Sequence, residues 1–133
     1  MDAEMVEMRS FEDARGILSV GELGKEMPFP VRRIYYIYGV PSKDIRRGYH
    51  SHKALRQLCL CVSGSCTMML DDGKEKKDFV LDKPDKALYI GPGIWREMYD
   101  FTEDAVLMVL ASEEYDERDY IRNYDEFMRS KRD

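Results

Sequence analysis

The chain lacks most of the features that classify a protein quickly. In 133 residues it has two histidines, three cysteines and one tryptophan. No apolar run approaches the roughly 20 residues needed to span a bilayer. The opening Met1-Asp2-Ala3-Glu4 has neither the basic nor the apolar stretch of a signal peptide. No sign of charge dominates: 21 Lys and Arg are scattered among 26 Asp and Glu, for a net charge of -5. A protein without a basic stripe is not expected to bind nucleic acid. Repeats, low-complexity segments and long linkers are also missing. These absences point to a cytoplasmic protein, with no membrane as a partner. Its length fits a single domain, 1–133, which buries roughly two thirds of the surface its unfolded chain exposes.

The three cysteines, Cys59, Cys61 and Cys66, fall in one strand-turn-strand stretch, and their odd number suits a reducing compartment. Cys59 and Cys61 share a strand face. No second Cys-x-x-Cys and no nearby third ligand complete a zinc site, so they read as small buried apolar side chains.

What the chain does have is a succession of short alternating runs from about residue 5 to about 111, cut by Gly, Pro and Asp. Such spacing predicts an all-β sandwich or barrel. Strands are expected at 7–9, 16–21, 31–38, 48–51, 57–63, 65–70, 76–81, 86–90, 95–100 and 105–111. Asp71-Asp72-Gly73 reads as a tight hairpin turn. Beyond Ser112 the residues Tyr120, Ile121, Tyr124, Phe127 and Met128 recur with helical period. They predict a C-terminal amphipathic helix over about 117–129, its aromatics packed against the sandwich.

Both histidines lie in Gly48-Tyr49-His50-Ser51-His52. Two apart in a strand, they share a face and enter one pocket, where imidazoles can ligate a metal or move a proton near neutral pH. Arg33 and Tyr35 alternate onto one strand face in the same way, and Tyr36 is expected on the other, in the core. Trp95 follows Gly91-Pro92-Gly93 and fits either a cleft wall or a buried structural position.

The spacing Gly48-x-His50-x-His52-x4-Gln57-x6-Gly64 resembles the first motif of the cupin superfamily, and Gly91-Pro92-Gly93-Ile94-Trp95-Arg96 echoes the second. In metal-binding cupins a Glu stands at the place of Gln57 and a third His at that of Arg96. Here one position is uncharged and the other carries a permanent positive charge. That set argues against a metal and for proton transfer beside a carbonyl, with cations stabilising the enolate.

A finer resemblance covers about Arg15 to Phe127. Val31-Arg32-Arg33-Ile34-Tyr35-Tyr36-Ile37, Arg47-Gly48-Tyr49-His50-Ser51-His52-Lys53, Leu70-Asp71-Asp72-Gly73, Tyr89-Ile90-Gly91-Pro92-Gly93-Ile94-Trp95, and Tyr115-Asp116-Glu117 with Tyr120-Ile121-Arg122 are similar to the sugar 3,4-ketoisomerases. The resemblance implies a cupin jelly roll with a short C-terminal α-helix. It also implies conversion of dTDP-4-keto-6-deoxyglucose to its 3-keto isomer, without cofactor or metal, in deoxyamino-sugar biosynthesis. His50 is then the base, and His52 holds or polarises a sugar oxygen. Arg33 and Arg47 are expected on the pyrophosphate, with Tyr35 on sugar or phosphate. Arg96 and Arg15 are expected to steer the face on which carbon 4 is protonated. A homodimer with exchanged N-terminal strands is implied as well, and residues 5–20 offer a strand pair for it. Two other functions compete: a deoxysugar nucleotide 3,5-epimerase, for which no His-Asp pair is evident, and a non-catalytic sugar-nucleotide-binding cupin.

Overall fold

A computed structural model describes residues 1–132. In chain order its first strands are β1 (Ala3–Glu7), β2 (Arg9–Asp13), β3 (Gly16–Val20), β4 (Arg33–Tyr38), β5 (Arg47–His52) and β6 (Gln57–Ser63). They are followed by β7 (Cys66–Asp71), β8 (Lys76–Leu81), β9 (Lys86–Ile90), β10 (Trp95–Tyr99), β11 (Val106–Ala111), β12 (Tyr120–Ile121) and the helix α1 (Tyr124–Ser130). One antiparallel sheet has the order β1-β9-β6-β11-β4 and a second the order β12-β5-β10-β7-β8, while β2 and β3 form a separate hairpin. This is the all-β sandwich that the alternation predicts, in the jelly-roll arrangement that the resemblance implies, closed by one short helix.

Period-2 alternation sorts each strand into an inner and an outer face. Cys59 and Cys61 of β6, Met68 and Leu70 of β7, Leu88 and Ile90 of β9, Met98 of β10, and Leu107 and Val109 of β11 meet between the sheets as one buried cluster. The outer face of the first sheet is also partly covered, because Met8, Met27 and Phe29 pack on Leu58 and Leu60. The cysteines are therefore buried and unbridged, with Cys61 and Cys66 sulfurs 3.5 Å apart.

Three local expectations need correction. Residues 7–9 hold a break between β1 and β2, because Met8 turns into the core cluster beneath Phe29. Tyr36 is not in the core: it lies on the outer face of the edge strand β4, 60 % exposed and stacked on Tyr38. The predicted helix over 117–129 is three elements. Glu117–Asp119 is a 3-10 turn capped by Asp116, and Tyr120–Ile121 pair with His52 and Ser51 as β12. Only from Asn123, whose side chain accepts from the Glu126 amide, does α1 begin. The helical spacing of Tyr120 and Ile121 is overridden by ladder bonds that the edge of β5 offers. Phe127 of α1 caps a small buried cluster with Trp95, Met69 and Ile121. Trp95, 3 % exposed, is thus structural.

Candidate active site

At one end of the sandwich the inward-facing residues change from apolar to polar. Gln57 at the start of β6 and Arg33 at the start of β4 flank Ala111 at the end of β11, and Arg96 at the start of β10 pairs with His50 on β5. Here the sheets enclose a cavity of about 370 Å³, lined among others by Arg33, Tyr35, Arg47, His50, Tyr120 and Arg122. Four of the residues expected in the site from sequence therefore share one cavity wall.

Arg47 reaches that wall through a β-bulge. Arg96 pairs with His50 but Glu97 pairs with Gly48, so Tyr49 is an extra residue on β5. It sits at φ 58, beside Gly48 at φ 97. A Cβ on Gly48 would lie 2.9 Å from the Arg96 carbonyl oxygen, so the close approach requires glycine. Unbroken alternation would put Arg47 on the face opposite His50. The inserted residue brings it back to the inner face, opposite Met98.

The two imidazoles are held differently. The His50 Nδ1–H donates to the Gly48 carbonyl at 3.1 Å, which leaves Nε2 with its lone pair on a ring that lines the cavity. His52 is 1 % exposed and lies behind it, with ring centroids 5.0 Å apart at 85°. Its Nδ1–H donates to Asp119 Oδ2 at 2.9 Å, and its Nε2 is buried without a partner. A carbonyl or carboxylate can only accept, so both rings are fixed as the Nδ1–H tautomer. Asp119 also accepts the Ala54 amide at 2.7 Å, fastening the end of β5. Tyr120 covers both rings, 5.1 Å from His50 and 4.4 Å from His52.

Electrostatics keep both histidines neutral. Burial lowers His50 to about 4, with the Arg96 guanidinium next in effect. Burial and then Arg96 likewise hold His52 well below its ordinary value. Each is a base with a free lone pair at neutral pH. Tyr35 is the reverse case: burial pushes its phenol up to about 12, so it stays protonated.

The cavity is rich in uncompensated positive charge. Arg32, Arg46 and Arg122 pair with Glu113, Glu97 and Glu117. Arg33 and Arg47 take part in none of the ion pairs among the described residues, and Arg33 lies against the rings of Tyr35 and Tyr115. Arg96 is 2 % exposed, sits behind the cavity wall and donates to Gln57 Oε1 and to the Ile94 carbonyl. Two of the four positions that hold a metal in other cupins, those of Gln57 and Arg96, are thus bonded to each other here. The oxygen that would face a cation is taken by a guanidinium, so the donor set does not fit a metal ion.

Arg15 is not on the cavity wall. It sits in the turn of the β2–β3 hairpin, its side chain 90 % exposed and paired with Asp13. Sequence reasoning missed Asp119, Tyr120 and Arg122, although the last two fall in segments that carry the ketoisomerase resemblance. Asp119 lies 67 residues from His52 in the chain, and no local pattern links them.

Comparison with known proteins identifies the family. The family model described as FdtA, WxcM-like, C-terminal matches residues 1–132. The chain belongs to this family. Over 127 residues it is 45 % identical to TDP-4-oxo-6-deoxy-alpha-D-glucose-3,4-oxoisomerase of Aneurinibacillus thermoaerophilus, covering 96 % of this chain and 91 % of that protein. Among solved structures, a 3,4-ketoisomerase from Helicobacter canadensis superposes with a TM-score of 0.96 at 44 % identity, covering 100 % of this chain and 99 % of the other. A Thermoanaerobacterium thermosaccharolyticum 3,4-ketoisomerase variant, solved with TDP-4-keto-6-deoxyglucose, superposes at 0.93 with 46 % identity, covering 97 % and 93 %. The FdtA, WxcM-like chain described here is thus a sugar 3,4-ketoisomerase by relationship, with His50 on its cavity wall and His52 behind it.

Proposed function

We propose that the protein converts dTDP-4-keto-6-deoxyglucose to its 3-keto isomer, with His50 as the base. His50 Nε2 takes the proton from carbon 3, and the electrons of that C–H bond form the carbon 3–carbon 4 double bond as oxygen 4 takes up negative charge. Oxygen 4 then receives the proton of the neighbouring oxygen 3 hydroxyl, which leaves the charge on oxygen 3. Protonated His50 gives its proton to carbon 4 as the negative charge on oxygen 3 collapses to a carbonyl, now at carbon 3. Atoms and charge balance without an outside reagent. The observation that carries the reading is a neutral imidazole facing a cavity with two unpaired guanidinium groups. Cations there lower the cost of the enolate, and Arg33 and Arg47 suit a pyrophosphate. Arg33→Ala is expected to weaken TDP binding in calorimetry by about tenfold or more, the worth of one charge-assisted hydrogen bond.

The decisive experiment is incubation with the 4-keto sugar nucleotide in deuterated water. A 3-keto product labelled at carbon 4 supports the ketoisomerase, label at carbons 3 and 5 marks an epimerase, and no label marks a binder. The His52–Asp119 pair does not revive the epimerase reading, because His52 stands behind the cavity wall. Chelator is expected to leave turnover within about twofold of the untreated enzyme, since Gln57 and Arg96 occupy each other.

The working form is a homodimer in which the β2–β3 hairpin reaches across to the partner subunit. Phe11, Ile17 and Leu18 of the hairpin are 61 %, 66 % and 61 % exposed in one protomer. Ile34, Tyr36 and Tyr38 on the free edge strand β4 present a matching apolar face. The hairpin turn would carry Arg15 to the neighbour's cavity, where it and Arg96 bias the face of carbon 4. Light scattering should give twice the 15.6 kDa chain mass, and Phe11→Asp should halve it; a wild-type monomer would contradict the dimer. Three free thiols support a cytoplasmic location, and no helix among the described residues is long and apolar enough to cross a membrane.

A further inference from the structure

Gln57 is 1 % exposed and makes two hydrogen bonds of opposite sense. Its Oε1 accepts from Arg96 NH1, and its Nε2 donates to the Tyr35 hydroxyl oxygen at 2.9 Å. A guanidinium has no acceptor, so Arg96 decides which way the amide points. With Oε1 committed to Arg96, only the NH2 end can face Tyr35. The phenol oxygen is then an acceptor, and its own proton must go elsewhere. No described side chain or carbonyl accepts it, and Tyr35 lines the cavity beside His50. Burial raises the phenol to about 12, so the proton is present throughout the neutral range.

We infer that Gln57 is a positioning residue which, oriented by Arg96, holds the Tyr35 hydroxyl as an obligate donor to the sugar oxygen that becomes the enolate. Tyr35 makes a hydrogen bond to that oxygen as its charge grows, and no covalent bond at Tyr35 forms or breaks. A glutamate at position 57 would reverse the sense of the chain. Its carboxylate would still satisfy Arg96, but it has no hydrogen for Tyr35 and would draw the phenol proton away from the cavity. On this account glutamine serves donor polarity, beyond the loss of a metal ligand. The inference rests on the isomerase reading above.

The test is a cycle of Gln57→Glu, Tyr35→Phe and the double variant, reading kcat, KM, TDP affinity and melting temperature. Gln57→Glu is expected to lower kcat by about 10²-fold, as loss of an oxyanion donor does, with KM and TDP affinity unchanged. Tyr35→Phe should lose a similar factor, and the double variant should fall no further than Tyr35→Phe alone, within about threefold. A purely structural role would instead lower the melting temperature and TDP affinity together. If Gln57→Glu does not bind TDP, Gln57→Met in the wild-type and Tyr35→Phe backgrounds asks the same question. Gln57→Glu at wild-type kcat, or losses that multiply in the double variant, would overturn the inference. If instead the wild-type protein has no isomerase activity, or His50→Asn keeps it, the function reading itself is lost.

Discussion

His50→Asn is expected to lower turnover by at least about 10²-fold, the usual contribution of a positioned general base. The amide keeps a donor near the Gly48 carbonyl but has no basic nitrogen to receive the carbon 3 proton. Affinity for TDP should stay within about twofold, because the nucleotide contacts assigned to Arg33 and Arg47 are not altered, and the loss falls on kcat rather than KM. His52→Asn should be the milder change: its ring is behind the wall, and its effect passes through the packing of His50 and Tyr120. A His50→Asn enzyme with most of its turnover would refute the assignment. Steady-state kinetics on both variants, with calorimetry for TDP, make the comparison.

Arg96→Met should combine a loss of kcat of about 10²-fold with a displaced pH profile. In the wild type, kcat/KM reports the free-enzyme base. His50 lies at about 4, so the acid limb is expected near there and activity is retained through pH 5 to 6. The Arg96 cation is the second cause of that depression, after burial. Removing a positive neighbour favours the protonated ring, so the His50 value rises and activity is lost at a higher pH on acidification. An acid limb that stays in place or moves downward would show that Arg96 does not act on the base. The loss of kcat has a second origin in the same contact: without the guanidinium, the Gln57 amide is free to turn and Tyr35 is no longer held as a donor.

Much of this architecture was legible in the chain. Alternation of apolar and polar residues depends only on the two-residue repeat of an extended backbone, so the strands from β3 to β11 and the shared face of His50 and His52 follow from local order. Arg33 and Tyr35 reach the cavity by the same rule. Both family motifs are local as well, which is why the ketoisomerase resemblance was available before any fold.

Other features depend on which segments meet. The bulge at Tyr49 turns Arg47 inward only because Gly48 can crowd the Arg96 carbonyl on the neighbouring strand. Tyr120 and Ile121 have helical spacing, yet they become a strand because the edge of β5 supplies partners for their backbone groups. Asp119 meets His52, and Arg96 meets Gln57, across 67 and 39 residues of chain. The sequence by itself determined the strands, their faces and the chemical types at the mouth of the sandwich, since nearest-neighbour geometry governs those. Only the tertiary structure decided which imidazole faces the cavity, which tautomer each holds and which way Gln57 points, because these are set by partners that sheet stacking brings together.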